Sequence, residues 1–173
     1  MVSIHLRDLQ EKDPLEISEA FHAQGWKKSS SQFEAYLPEI SSGERDVVLA
    51  ENEGEFCGFL TIKWESPYAH FRERGIPEIK NFNVLKKYQR QGIGSLLMDE
   101  AERRIQAVSS FAGIGFGITP DYGPAQILYV KRGYIPDGKG LTKDGYSLNY
   151  LDEVVIHDDL VLYLIKELLS EVT

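Results

Sequence analysis

Val84-Leu85-Lys86-Lys87-Tyr88-Gln89-Arg90-Gln91-Gly92-Ile93-Gly94-Ser95-Leu96-Leu97 joins the end of an apolar strand to the start of an amphipathic helix through a short loop with two glycines. The first N–H groups of a helix have no intrahelical acceptor, and the helix dipole places partial positive charge there. Glycine lets a ligand approach the backbone closely. Strand, glycine loop and helix together predict a phosphate-binding turn. The charge pattern agrees. From Lys80 to Arg104 six cations face three anions, a local net of +3 in a chain of −8, which leaves −11 for the rest. A basic island in an acidic chain predicts a small polyanionic ligand rather than a long nucleic acid. Two other phosphate loops are excluded. The segment has no Gly-x-x-x-x-Gly-Lys-Ser/Thr, and Gly92-Ile93-Gly94 lacks the third glycine of Gly-x-Gly-x-x-Gly.

The rest of the chain is read outward from this loop. Ile93 to Val108 predicts the clearest helix, with Ile93, Leu96, Leu97, Ala101, Ile105 and Val108 on one face. Upstream, Pro77 to Val84 reads as a strand and Ser66 to Gly75 as an irregular loop. Val47 to Ala50 and Phe56 to Trp64 read as an antiparallel hairpin around Glu51-Asn52-Glu53-Gly54-Glu55. Val2 to Asp8 alternates as a half-buried strand. Asp13-Pro14 opens a first helix, and Ser29 to Ser31 cap a second that carries Phe33, Tyr36 and Leu37. Downstream, Phe111 to Ile118 predicts a strand and Tyr122 to Arg132 a short helix stopped by Gly133. Tyr134-Ile135 starts a strand, Pro136 to Gly145 reads as a turn-rich loop, and Leu160 to Ile165 is a last strand. No linker or repeat divides residues 1–173, which are expected to form a single mixed α/β domain.

With 173 residues, the chain has enough length for one compact core. No stretch approaches the roughly 20 apolar residues of a membrane span. The first ten residues mix Ser3, His5, Arg7 and Asp8 among apolar positions, so no signal peptide is expected. Cys57 is the only cysteine, which excludes an intrachain disulfide and a cysteine-rich metal site. The histidines at 5, 22, 70 and 157 are scattered without metal-ligand spacing. A cytoplasmic protein without metal, membrane or nucleic-acid partner is expected.

The loop also fits Gln/Arg-x-x-Gly-x-Gly/Ala, met by Gln89, Gly92 and Gly94. Further on stands Ala125-Gln126-Ile127-Leu128-Tyr129-Val130-Lys131-Arg132-Gly133-Tyr134, which fits Ala-x-x-Leu-Tyr-x-x-x-Gly-Phe/Tyr. These two segments, in this order of elements, resemble the GNAT (GCN5-related N-acetyltransferase) superfamily. The resemblance covers nearly the whole chain. It implies a central twisted mixed sheet of about seven strands with about four helices, splayed between two central parallel strands. It implies an acetyltransferase that uses acetyl-CoA as cosubstrate, without a metal, and a primary amine of a small molecule or peptide as acceptor.

The resemblance also implies roles. Backbone N–H groups of Gln89, Arg90, Gln91, Gly92, Ile93, Gly94 and Ser95 hold the pyrophosphate. Asn83, Val84 and Leu85 pair with the pantetheine arm as an added strand does, and an N–H near Asn83 or Val84 polarises the acetyl carbonyl. Tyr129 supplies the proton to the leaving thiolate. Glu78, eleven residues before Gln89, stands where the histone-acetylating branch places its base. Glu65 and Asp121 are reserve bases; a Glu78 that merely begins a strand in solvent is the competing reading. Tyr122 stands where many relatives carry an asparagine against the pantetheine, and Gln126 is the candidate to replace that contact.

Gly113-Ile114-Gly115-Phe116-Gly117-Ile118 leaves one strand face bare, since side chains alternate. It makes room either for a bulky packed side chain or for the acyl arm or acceptor. Trp26 and Trp64 read as core or pocket wall, and Cys57 as a buried structural residue. Tyr68, Phe71 and Tyr88 are candidate pocket walls. The acidic remainder of the chain mildly favours a cationic acceptor. Two rival functions remain open: a non-catalytic acyl-CoA-binding sensor and a transferase for another acyl-CoA. Paired subunits occur in the family, and Leu160 to Leu169 is the candidate surface for a homodimer.

Overall fold

A computed structural model describes residues 3–169. The protein has an α/β fold with eight strands and six α-helices in the described residues, against about seven strands and four helices expected. Two compact units divide the chain: residues 1–64 with 79–104, and residues 65–78 with 105–173. No described helix is long and apolar enough to cross a membrane.

The first unit begins with β1 (Ile4–Asp8), antiparallel to β2 (Arg45–Asn52), which in turn pairs antiparallel with β3 (Glu55–Lys63). Val2, assigned to the first strand on pattern, lies outside the described residues. Glu53 and Gly54 both take left-handed φ values, 51° and 85°, the geometry of a two-residue hairpin turn. Between β1 and β2 run α1 (Asp13–Ala23), α2 (Ser30–Glu34) and α3 (Tyr36–Ser41). The expected second helix is thus two short ones. The serines do not cap it through their side chains; Ser29 and Ser31 share a hydrogen bond with each other instead. Phe21 and Phe33 are fully buried and meet Phe59 edge-on at centroid distances of 6.0 and 5.2 Å. Aromatic burial of this kind is the main source of stability for helices too short to persist alone.

Strand β4 (Glu78–Val84) leads through a 3-10 turn (Lys86–Tyr88) to α5 (Ile93–Gln106). The buried face of α5 is Ile93, Leu97, Met98, Ala101 and Ile105, whereas Leu96 and Val108 are exposed. The stripe is therefore rotated from the expected one, with Met98 replacing Leu96. Arg104 ties the helix to the strands, reaching Asp8 and Asp46 at 2.8 Å each and Glu100 at 2.8 Å.

The second unit contains α4 (Ala69–Glu73) within the stretch expected to be irregular loop. Its polar residues hid a short helix whose one buried ring, Phe71, supplies the reason to fold. Strand β5 (Phe111–Gly117) pairs antiparallel with β8 (Leu160–Glu167), and β8 pairs antiparallel with β6 (Ile135–Lys143). Helix α6 (Gly123–Lys131) precedes β6, and β7 (Tyr146–Ser147) closes a hairpin with β6. The expected turn-rich loop 136–145 is thus mostly strand. Its glycines mark a break in register between Pro136 and Leu141, with Gly138 and Gly140 left-handed.

The three glycines of β5 face aromatic rings. A Cβ on Gly113 would stand 2.3 Å from the Phe71 ring, one on Gly115 2.9 Å from the Tyr163 ring, and one on Gly117 2.4 Å from the Tyr122 ring. Of the two readings of this strand, close packing is the one observed; protein rings occupy the space.

Gly113→Ala is expected to lower stability by about 1–3 kcal/mol through overpacking against Phe71, measured by urea unfolding; an unchanged midpoint would contradict the packing described. Hydrogen bonds from Arg103 and Arg104 hold the Glu100 carboxyl at about 2. A depressed carboxylate stabilises the fold above its unfolded value and loses that contribution as pH falls. Glu100→Gln is therefore expected to flatten the stability loss of the protein between about pH 4.5 and about pH 2, read from acid melts beside wild type.

Candidate functional site

In the first unit β4 ends at Val84 and leads through the 3-10 turn into the glycine loop. Asn81, inside that strand, is left-handed at φ 50°, and its side-chain amide donates to the Tyr36 hydroxyl at 2.9 Å. Asparagine tolerates this conformation better than most residues, and it breaks the pleat just before Asn83 and Val84. Sequence pattern places Tyr36 only as an apolar helix residue and gives Asn81, in Glu78-Ile79-Lys80-Asn81-Phe82-Asn83-Val84, no distinguishing mark. Strand β3 accepts the close approach because Gly58 has no side chain: a Cβ there would lie 2.7 Å from the Asn83 carbonyl oxygen. The Leu85 N–H donates to the Cys57 carbonyl at 2.8 Å. Cys57 itself is fully buried and free, and burial pushes its thiol up, so it stays neutral.

The loop is held by its own side chains. Gln89 Nε2 donates to the Val84 carbonyl and Gln91 Nε2 to the Lys87 carbonyl, each at 3.0 Å. Arg90 and Gly92 are left-handed, φ 60° and 81°. Alternation of left-handed residues turns successive N–H groups to one side, the arrangement that makes an anion-binding concavity. The helix's bonding begins with Leu96 N–H to the Gly92 carbonyl at 3.1 Å, which leaves the N–H groups of Ile93, Gly94 and Ser95 without a helical acceptor. Buried Ile93 pins the helix start. Of the nearby cations, Lys87 is paired with Glu55 at 3.2 Å and Lys86 rests over Trp26 at 5.5 Å. Arg90 is exposed and has no ion pair in the described residues. The structure thus brings together Asn83, Val84, Leu85 and Gln89 through Ser95.

The second unit holds the remaining candidates. Glu78 is 3% exposed, so the solvated alternative for it is excluded. Ser66 Oγ donates to its Oε2 at 2.5 Å and accepts from the Tyr68 N–H at 3.0 Å. Ser66 is another residue the sequence reading passed over, since a serine in a polar stretch carries no signal. On α6, Gln126 Nε2 donates to the Gly117 carbonyl at 2.9 Å, which anchors the helix to the end of β5. Tyr129 is 5% exposed, with Phe116 and Tyr134 rings nearby. Burial, and secondarily Tyr122, raise its hydroxyl far above the ordinary range. Tyr122 lies on bare Gly117 and donates to Asp158 at 3.1 Å; burial and that carboxylate push it up to about 12. It fills backbone space where an asparagine was the expected residue. The reserve bases, Glu65 and Asp121, are both exposed, and Asp121 accepts from Thr119. Tyr68 and Phe71 are buried with Tyr163 in the second unit, while Tyr88 packs on the aromatic cluster of the first.

Comparison with known proteins follows from this geometry. A sequence profile described as the acetyltransferase (GNAT) domain matches residues 43–136, over half of the chain. A search of curated protein sequences found no significant match. Solved structures share the fold. A GNAT-family protein from Desulfovibrio desulfuricans superposes with a TM-score of 0.72 at 14% identity, covering 96% of this chain and 100% of its own. A GNAT-family acetyltransferase from Streptococcus pneumoniae gives 0.67 at 21% identity, covering 95% and 99%. A Salmonella typhimurium protein solved with acetyl-CoA as its cofactor gives 0.68 at 14% identity, covering 98% and 96%. Profile, fold and the glycine loop before α5 agree, and the chain belongs to the GNAT acetyltransferase family.

Proposed function

We propose that the protein is an acetyl-CoA-dependent N-acetyltransferase that acts on a primary amine, of a small molecule or a peptide, by direct attack within a ternary complex. The observation that carries this reading is the loop Gln89–Ser95, with left-handed Arg90 and Gly92 and the free N–H groups that open α5. Its N–H groups and Arg90, which has no ion pair in the described residues, take the pyrophosphate. The end of β4 takes the pantetheine arm along Asn83 and Val84; Leu85 contributes less, since its N–H is engaged by Cys57. An N–H of Asn83 or Val84 polarises the acetyl carbonyl.

Glu78 removes a proton from the acceptor ammonium, directly or through water. The neutral nitrogen attacks the thioester carbonyl, a C–N bond forms, and the C–S bond breaks with its electron pair on sulfur. Tyr129 supplies that sulfur with a proton, and the proton that the acylated nitrogen sheds to become a neutral amide returns through water to the tyrosinate. Its raised hydroxyl is fully protonated at neutral pH, as a proton donor must be. Ser66 orients the Glu78 carboxylate for its task. Gln126, committed to the Gly117 carbonyl, acts by fixing α6. The rings of Phe71, Tyr163 and Tyr122 on the glycine face favour acetyl over a longer acyl chain. Cys57, buried and unbridged, is compatible with a reducing cytoplasm.

Acetyl-CoA at ~100 times its dissociation constant is expected to add roughly 2.7 kcal/mol of stability, a rise of a few degrees in Tm, with no response to ATP. Absence of a shift with any CoA ester would remove the reading. Tyr129→Phe is expected to cut thiol release from acetyl-CoA about 10²-fold while the acetyl-CoA dissociation constant stays unchanged. Glu78→Gln is expected to give the same pattern. Binding of acetyl-CoA with no transfer to any amine in the wild type would favour the sensor reading instead.

A further inference from the structure

Strand residues turn their N–H and C=O to the two edges of the strand in alternation. In β4 that alternation slips. The Lys80 carbonyl accepts from Thr61 Oγ1 of β3 at 3.2 Å, and the Leu85 N–H donates to the Cys57 carbonyl of β3 at 2.8 Å. Residues 80 and 85 stand five apart, so an unbroken strand would turn them to opposite edges. Both face β3. The slip falls between them, and Asn81, at φ 50°, is the left-handed residue in that interval. One extra residue of this kind is a bulge, which re-aims whatever follows it. Beyond the slip Asn83 faces β3, where its carbonyl oxygen stands beside bare Gly58. Val84 faces the other edge, and its carbonyl accepts from Gln89 Nε2 at 3.0 Å. Its N–H turns the same way. Without the slip that N–H would point at β3.

A closed circuit of side chains holds the slip. Asn81 Nδ2 donates to the Tyr36 hydroxyl oxygen at 2.9 Å, and Gln32 Nε2 donates to the same oxygen at 3.0 Å. The Arg45 guanidinium lies over the Tyr36 ring at 4.7 Å and donates from Nη1 to Thr61 Oγ1 at 2.7 Å. Thr61 closes the circuit on the Lys80 carbonyl, one residue before Asn81. Glu39 accepts from Arg45 Nε at 2.7 Å and balances its charge. Tyr36, Arg45 and Thr61 are 6%, 8% and 0% exposed. A non-glycine residue stays in the left-handed region only where its surroundings over-determine it. Here Asn81 is gripped twice, through its own amide and through the carbonyl before it.

We propose that Tyr36 is a positioning residue of the transferase: through Asn81 it holds the slip that turns the Val84 N–H toward the acetyl carbonyl of bound acetyl-CoA. The proposal rests on the acetyltransferase reading and deepens it, naming Val84 as the polarising donor and Tyr36 as the residue that aims it. A donor fixed beforehand stabilises the charge that develops on the carbonyl oxygen without reorganising during the reaction. Tyr36 touches no reacting atom in this role; its effect passes through the Asn81 amide.

The test reads the thioester C=O stretch by infrared difference spectroscopy. Full-length protein is loaded with acetyl-CoA carrying ¹³C at the acetyl carbonyl, against unlabelled acetyl-CoA. Hydrogen bonding lowers that frequency, so the wild-type complex is expected below free acetyl-CoA. Tyr36→Phe, which keeps the ring beneath Arg45, is expected to lose most of the displacement while acetyl-CoA still raises its Tm. Asn81→Ala is expected to behave likewise. Asn81→Gly is expected to keep the displacement, because glycine takes a left-handed φ without steric cost. Adding Tyr36→Phe to Asn81→Gly should then change nothing further. Full displacement in Tyr36→Phe, a further loss in the double variant, equal behaviour of Asn81→Gly and Asn81→Ala, or an undisplaced wild-type carbonyl would overturn the proposal. If Tyr36→Phe does not fold, the two variants of Asn81 decide by themselves. A wild type whose Tm does not respond to acetyl-CoA defeats the transferase reading. A wild type that responds, with its carbonyl displacement intact in Tyr36→Phe, defeats this inference alone.

Discussion

Bare backbone on one face of β5 is the constraint on which the second unit is built. Gly113, Gly115 and Gly117 alternate along the strand, so their empty positions fall on the same side. Phe71, Tyr163 and Tyr122 lie there at distances that any Cβ would forbid. Glycine in a strand costs conformational entropy and packing; here ring-on-backbone contact offsets that cost. The consequences spread from it. Tyr163 positions Tyr68, Tyr68 holds Asp137, and Ser66 links the Tyr68 backbone to Glu78. At the other end of the strand, Tyr122 and the Gln126 bond to Gly117 set the start of α6, which carries Tyr129.

In the first unit the lysines beside the glycine loop are already engaged. Lys87 is committed to Glu55 and Lys86 to Trp26. What remains is mostly backbone: N–H groups turned outward by two left-handed residues and by a helix start. Such donors are fixed before the ligand arrives, so little side-chain entropy is lost on binding. The Gln89 bond to Val84 then couples the loop to the strand end. The glutamine of the motif therefore has a local structural task, which also explains why a long polar side chain is wanted at that position.

Burial sets the state of the tyrosines in the second unit. Tyr129 and Tyr163 are both raised by desolvation first, yet the two differ in what surrounds them. Tyr129 sits among the Phe116 and Tyr134 rings, while Tyr163 is stacked on Tyr68 with Phe71 at its edge.

Local chemistry alone determined the loop and its helix, the hairpin, α1, α6 and the α/β class, because each is specified by neighbours within a few residues: Gly92 before an apolar stripe, Glu53-Gly54 between apolar runs, Asp13-Pro14, Gly133. Gln89, Glu78 and Tyr129 became candidates through resemblance to a known family and not through local chemistry. Tertiary structure decided what depends on distant partners. Helix α4 exists because Phe71 finds Gly113, forty-two residues away. The strand β6 exists because Leu141 to Lys143 meet β8, whatever their glycine-rich neighbours prefer. Burial of Glu78 under Ser66 and the left-handed turn at Asn81 follow from contacts across long stretches of chain. A periodic pattern records which face of an element is apolar; it does not record what that face will meet.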